Sequence, residues 1–596
     1  MIQPPPPGPN ASMLMVEFCG TLIMVALSFC FPRLAPNGFR KIERAFGRLA
    51  QHRTLSVIVT GLAAFFGRLA ILPVCPIPLP FVTDDFSFLL SADTFAHGRL
   101  ANPTPAMWVH FETIHATLSP SYVSMYFPGQ GLILAAGQVL FGNPWFGLLI
   151  VSALMCSAIC WMLQAWMPAS WALLGGLISV LHFGLFSYWI NTYHAAGGIC
   201  ALGGALVLGA LPRLMKTMKL RDGLLMAIGI GLLVISRPYE GMLLCLPVAV
   251  MLGRWALFST RRPELGLLLR KAALPMLVVV IAIGWLGYYD HQAFGHATTL
   301  PYTVDRAEYA VAPYYVWQPP RPEPVYRHAM IRSFYQAGEM EFYNKIHNWK
   351  RFVPQTLIKW MWAVNFYAGL SLLPALFLMH RVVKDRRIRF LVIGLAVMMA
   401  GMLIQIFLLP HYIAPFTAAL YAVGLQGMRH LRHWKPEGRT VGLTMARLSI
   451  VLCLGLAGLR LFAVPLHLMT PLWPATNWNF VWFGPDHFGQ QRKHVAEELD
   501  RMPGKHLVIV RYTENHNPTE EWVYNSADIE GAKVIWAREM EGNKNDELFN
   551  YYQDRHIWLV EPDAGVVKLV PYRNSAVTAP NALMARNSLA KGDIGR

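Results

Sequence analysis

The sequence predicts a polytopic α-helical membrane protein with a small α/β domain toward its C-terminal end. Three observations lead there. Of 596 residues, 55% are hydrophobic and only 14% charged, against about 25% charged in a soluble domain. At least ten apolar stretches approach the ~20 residues that a helix needs to cross a bilayer. After about residue 485 the long apolar runs cease and charged residues become frequent. This composition excludes a cytosolic protein and a disordered chain.

Apolar runs sit near 13–31, 54–73, 144–166, 169–190, 197–212, 223–237, 239–258, 272–289, 357–380, 388–409, 411–428 and 443–463, with a short run at 129–141 that reads as a half-helix. About 12–13 transmembrane helices are expected. The first run follows Met1-Ile2-Gln3 and Pro4 to Pro7, with neither a basic leader nor a small-residue cleavage site. It reads as a retained helix, not a signal peptide. The resulting division is an additional helix and basic linker over 1–53, a membrane domain over 54–463, a C-terminal domain over 464–573 and a disordered tail over 574–596.

The net charge of +17 raises the question of nucleic acid, and the placement of the charges answers it. Five short connectors, 33–53, 213–221, 254–271, 381–389 and 429–447, hold 25 of the 51 Lys and Arg. All five fall on one side of the bilayer by the span count, and the positive-inside rule makes that side cytoplasmic. The excess charge is a topology signal, and no nucleic-acid partner is expected. The long loops 74–128 and 290–355 and the C-terminal domain then face the outside, or periplasm. The eight cysteines form no CxxC and end at Cys453, so neither a disulfide framework nor a zinc finger is expected.

In the C-terminal segment the pattern reads as helix 488–502, strand His506–Tyr512, helix 518–526, strand Lys533–Arg538, helix 545–553 and strand His556–Glu561. Alternating strands and helices predict a small parallel α/β domain. It has neither a GxGxxG nor a GxxxxGK[ST] nucleotide fingerprint.

Candidate chemistry gathers on the external side. Asp84 and Asp85 follow a span directly. Paired acids there serve as a general base, as ligands for a divalent cation, or as a solvated helix cap. His110-Phe111-Glu112-Thr113-Ile114-His115 is HxExxH, not the HExxH of zinc proteases. Its two histidines, five apart, share a helix face poorly, so it reads as a further carboxylate with proton carriers, or as an amphipathic surface helix. Arg237 and Glu240 sit between two apolar runs. Arg237 either pairs with Glu240 or holds a lipid phosphate, whose oxygens a guanidinium matches with two parallel bonds. Tyr193 and His194, and His411 and Tyr412, lie in turns on the same side. The 290–355 loop is rich in Tyr, Trp and Arg, including Tyr309, Tyr314, Tyr315, Arg321 and Arg327.

Together these residues resemble the membrane glycosyltransferases of the C-type superfamily. The nearer likeness is to glycosyltransferase family 39, with its protein O-mannosyltransferases and aminoarabinose transferases. That family carries an acidic pair in the first external loop, matched here by Asp84-Asp85 and the following stretch to Gly98. Tyr126 to Gly142 resembles the proline-containing segment after it, and His411 to Tyr421 the start of a late span. Asp85 stands where many relatives have Glu, and His411 where many have Arg or Lys. The resemblance implies a polyprenyl-phosphate sugar as donor, a periplasmic glycan, lipid or protein as acceptor, and inverting transfer at the outer face of the plasma membrane. Asp84 is then the base, Asp85 and Glu112 position the acceptor or a metal, and Arg237 with His411 holds the phosphate. Glu240, His110, His194, Tyr193 and Tyr412 complete the substrate-binding set. Burial and neighbouring acids are expected to raise the pKa of Asp84. The rival reading is a flippase or transporter of a lipid-linked intermediate. A transporter's repeated halves with charges at mid-membrane are not visible in the sequence.

Overall fold

The computed structural model describes residues 9–462 and 489–572, apart from 195, 260, 261, 263 and 542. The expected start of the C-terminal domain at 464 and the expected tail at 574–596 lie outside these residues.

Every expected apolar run contains helix. Among the described residues six helices are long and apolar enough to cross a membrane: Arg53–Ala70, Trp145–Trp166, Gly197–Thr217, Pro238–Phe258, Leu265–Phe294 and Val441–Leu461. A seventh candidate is broken, its halves Lys350–Ala368 and Leu373–Lys384 meeting at 111°. The other runs are shorter helices, among them Met15–Cys30, Ala169–Leu185 and Arg389–Leu403. The last stops before Pro410, which begins a 3₁₀ turn over Pro410–Phe416. The chain is a multi-pass membrane protein.

The half-helix is Pro128–Phe141, opened by Pro128 and closed by Gly142 at φ 73°, the usual proline-first, glycine-last arrangement. Its 14 residues rise about 21 Å, short of the ~30 Å hydrocarbon core. Its glycines permit close approach: a Cβ on Gly129 would lie 2.1 Å from Ser236 Oγ, and one on Gly131 2.4 Å from Ser91 Cβ. This contact brings Phe127 beside Arg237.

Three of the basic connectors are tied to one another. Glu43 binds Arg447 at 2.9 Å and Arg432 at 3.3 Å, and Asp385 accepts from Gln426 and lies 3.6 Å from His430. Segments 33–53, 381–389 and 429–447 therefore share one end of the bundle.

At the other end the first loop begins with the helix Thr83–Ala96. The HxExxH stretch is not helical. Trp108–Phe111 is a 3₁₀ turn beside a three-stranded sheet of β1 (Asn102–Pro103), β2 (Ala116–Thr117) and β3 (Ser121–Ser124), in the order β1-β3-β2.

The C-terminal unit has helices Gln490–Arg501 and Lys544–Tyr551 and strands β4 (Lys505–Val510), β5 (Val534–Arg538), β6 (Arg555–Val560) and β7 (Val570–Pro571). The order is β5-β4-β6-β7, with β4 parallel to both neighbours. The expected helix at 518–526 is absent. Its backbone pairs with the start of the first loop instead: Thr83 N–H donates to Thr519 O, and Glu521 N–H to Phe81 O, each at 3.3 Å. The two parts share a core in which Phe111, Leu118 and Tyr122 pack with Leu507, Ile509 and Ile535.

Candidate active site

The helix Thr83–Ala96 carries both acids of the pair in its first turn, where carboxylates favour the positive helix end. Successive residues point about 100° apart, so the two acids face different surroundings. Asp85 is fully buried. Its Oδ1 accepts from Tyr193 N–H at 2.9 Å and His194 N–H at 3.1 Å, and lies 2.9 Å from His194 Nδ1. Burial depresses the His194 pKa, but the Asp85 charge outweighs it and the net shift is upward. Tyr193 is a structural member of this turn, its hydroxyl donating to Pro78 O at 3.1 Å.

Asp84 keeps 35% of its side chain exposed. Tyr126 Oη donates to its Oδ1, and His115 Nδ1 stands 3.6 Å from its Oδ2. The same His115 nitrogen lies 3.3 Å from Tyr126 Oη and 3.2 Å from Thr83 Oγ1. His115 adopts φ 69°, a left-handed conformation costly for a non-glycine residue and frequent at functional sites. The Asp84 pKa moves opposite to expectation. Burial pushes it up, but His115, His194 and the Tyr126 hydroxyl together hold it well below the usual carboxylate range. Conversely burial lowers His115, while Asp84 and, farther off, Asp305 and Glu339 raise it above its ordinary value.

The Tyr126 ring leads to the second part of the site. Tyr302 lies 5.6 Å from Tyr126, 5.4 Å from Phe127 and 5.9 Å from Tyr314, centroid to centroid. Phe127, Tyr302 and Tyr314 line a cavity of about 320 Å³ with Arg237, Glu240, Arg306 and Tyr412. Arg237 precedes the helix Pro238–Phe258 and is buried. Its Nη1 donates to Glu240 Oε1 at 3.2 Å, its plane lies 4.5 Å above the Tyr412 ring, and its Nε has no partner among the described residues. Glu240 therefore takes part of the guanidinium and leaves the rest. His411 Nδ1 sits 2.8 Å from Tyr188 Oη, and the Tyr188 ring is 5.7 Å from that of His194. Asp84, His194 and Arg237 are near enough to influence His411 electrostatically. One site thus brings together Asp84, Asp85, His194, Arg237, Glu240, His411 and Tyr412.

Glu112 and His110 are turned elsewhere. Glu112 is buried, with Oε1 accepting from Tyr309 at 2.9 Å and Arg327 at 2.8 Å and Oε2 lying 3.4 Å from His328. Burial raises its pKa, but His328, Arg327 and Tyr309 bring it below the ordinary value. His110 Nδ1 faces Arg538 O at 3.4 Å. The 3₁₀ turn and the irregular stretch 112–115 after it separate His110, Glu112 and His115, and only His115 reaches the acid pair. Sequence reasoning missed Tyr302 and Arg306. Arg306 stacks 4.6 Å over Tyr314 and donates to Glu339 at 2.8 Å. The Tyr- and Arg-rich composition of this loop was the available signal.

A divalent cation, expected as an option for Asp84 and Asp85, does not fit the donor set. Both Asp85 oxygens already accept N–H groups, and Asp84 is held by a phenol and an imidazole. Among the described residues no three His, Cys, Asp or Glu side chains gather as metal ligands.

No family model matches the chain, and no curated protein does. Solved structures to which the chain is similar include these three. ArnT from Cupriavidus metallidurans in the apo state is 12% identical, over 86% of this chain and 94% of that one, with a TM-score of 0.47. The same protein bound to undecaprenyl phosphate is 13% identical, over 85% and 92%, with a TM-score of 0.45. The Archaeoglobus fulgidus oligosaccharyltransferase, in complex with zinc and sulfate, is 12% identical, over 85% and 67%, with a TM-score of 0.44. At these values the likenesses say nothing about the roles of individual residues.

Proposed function

We propose that this chain is a membrane glycosyltransferase that moves a sugar from a polyprenyl-phosphate donor to an acceptor hydroxyl at the outer face of the plasma membrane. One observation carries the reading: a half-exposed carboxylate, Asp84, is linked through Tyr126 and Tyr302 to an aromatic cavity holding the guanidinium of Arg237. A lipid phosphate needs a cation away from bulk water, and the acceptor hydroxyl needs a carboxylate on the open side. The acceptor oxygen attacks the anomeric carbon, the carbon–oxygen bond to phosphate breaks, and the phosphate leaves with the electron pair toward Arg237. The hydroxyl proton passes to Asp84. Direct displacement inverts the anomeric centre. Asp85 and His194 hold the turn that closes the site, and Tyr412 orients Arg237 from below.

The test is sugar transfer by the purified full chain in lipid nanodiscs. Undecaprenyl-phosphate hexoses and pentoses labelled in the sugar serve as donors, and envelope lipids and glycans as acceptors. Label should appear in the acceptor with inverted configuration. Passage of intact donor across a proteoliposome bilayer, without bond cleavage, would make the protein a transporter.

A further inference from the structure

A second cationic feature lies outside the donor cavity. Arg460 stands in the last turn of the helix Val441–Leu461, at the end of the bundle that carries Asp84. It is 1% exposed. No ion pair or hydrogen bond satisfies it among the described residues, and its Nε and Nη2 are buried without a partner. Its guanidinium carbon lies 5.7 Å from the Phe186 ring. Arg68 lies in the same neighbourhood, both guanidiniums being within electrostatic reach of Cys75. Arg68 is also fully buried, and among the described residues no carboxylate pairs with it. Its Nη1 donates to Cys75 O at 2.8 Å, and its Nη2 to Pro76 O at 3.1 Å and Asn191 Oδ1 at 2.9 Å.

Among the described residues no acid pairs with either buried guanidinium, which leaves a large electrostatic deficit, since a buried charge is tolerated only when paired. The deficit sits at the level where a span gives way to external loops, which is where lipid phosphates lie. A guanidinium matches phosphate oxygens with paired N–H bonds. We infer that Arg460, with the charge of Arg68 behind it, forms a second site for a phosphate group, that of a membrane phospholipid or of free phosphate, separate from the donor cavity at Arg237. Arg68 also connects this site to the catalytic one. Asn191, which it binds, begins the turn that delivers Tyr193 and His194 to Asp85. An anion held here steadies that turn.

The experiment is thermal unfolding of the full chain in neutral detergent with added dioleoyl phosphatidylglycerol, dioleoylglycerol or inorganic phosphate. Phosphatidylglycerol should raise the melting temperature of the wild type and of Arg237→Ala alike, while dioleoylglycerol, which lacks the phosphate, should not. Arg460→Met should lose that rise, yet melt no lower than the wild type without lipid, because an unpaired buried charge has been removed. Arg460→Lys, which keeps the charge but not the fork, should retain part of the rise. An equal rise with inorganic phosphate alone identifies the ligand as soluble phosphate. The inference is overturned by a full rise in Arg460→Met, or by an Arg460→Met chain that melts far below the wild type without lipid. The second result means that the fold itself already satisfies the guanidinium. Neither result touches the donor reading, which stands or falls with Arg237.

Discussion

Tyr126 donates its hydroxyl proton to Asp84 while the same oxygen stands 3.3 Å from His115 Nδ1. The phenol therefore joins the acid to the imidazole and fixes the direction in which the open carboxylate points. General-base catalysis contributes on the order of 10²–10⁴-fold. Asp84→Asn keeps the shape and removes the base, so kcat should fall by about that factor with donor binding retained. Tyr126→Phe should cost less, since the carboxylate survives and only its aim is lost. Single-turnover transfer with both variants separates the two effects. An Asp84→Asn protein working at the wild-type rate would falsify the base assignment.

Asp85 has a different task. Its carboxylate is spent on the 193–194 backbone and on His194, so its loss is first a loss of fold. Removing one partner of a buried pair costs about 3–5 kcal/mol. Asp85→Asn should lower the melting temperature far more than Asp84→Asn does. Calorimetry of the two side by side checks this; equal melting would place Asp85 outside the scaffold.

The guanidinium of Arg237 is only partly taken by Glu240. Arg237→Lys offers a point charge without the fork and should raise the donor KM strongly. Arg237→Ala should nearly abolish turnover. Variants that melt earlier but keep a normal KM would show that Arg237 serves Glu240 alone.

Much of this arrangement was legible in the sequence, because spans, charge placement and an acid pair after a span are local signals. Asp84, Arg237, His194, His411 and Tyr412 were readable as polar residues interrupting apolar runs on one side. The difference in role between Asp84 and Asp85 was not readable, since it depends on a turn some 110 positions away. Glu112 was misplaced for a similar reason: its partners Arg327 and His328 come from the other long loop. The lowered pKa of Asp84 escaped because nearby acids are obvious in a sequence and distant histidines are not. The helix expected at 518–526 failed because its backbone is claimed by residues 81–83.

The pairing of Asp84 with His115 has a pH signature. His115 has a folded pKa above its ordinary ~6.5, so its contribution is fully present below about pH 6.5 and is lost as pH rises through the raised value. Asp84 has a depressed pKa, so its contribution is present above about pH 4 and is lost as pH falls through the lowered value. The melting-temperature difference between wild type and His115→Gln should therefore be largest at about pH 4 to 6.5 and shrink in more alkaline buffer. A difference that grows from pH 7 to pH 9 would mean that His115 is not held in its charged form by Asp84.

Transfer should depend on the C-terminal unit, because that unit shares a core with the first loop. Phe86, the residue after the acid pair, stacks 4.6 Å from Tyr524 and lies 5.0 Å beneath the Arg492 guanidinium. Asp93, on the same helix, accepts from Ala527 N–H at 2.8 Å. Tyr122 donates to Asn525 O at 3.0 Å, and Thr113 to Glu521 at 2.7 Å. Loss of the unit exposes the apolar side of the helix that presents Asp84, and burying each large side chain is worth roughly 1.5–3 kcal/mol. A chain ending after residue 488 should still insert, because its spans are complete. Its 81–124 segment should become sensitive to protease added from the Asp84 side, and transfer should fall to the level of Asp84→Asn. Undecaprenyl phosphate should still bind through Arg237, since the cavity is lined wholly by residues before 413. Limited proteolysis and lipid binding on one truncated preparation decide the matter: a protected first loop with full transfer would show that the domain is dispensable for transfer.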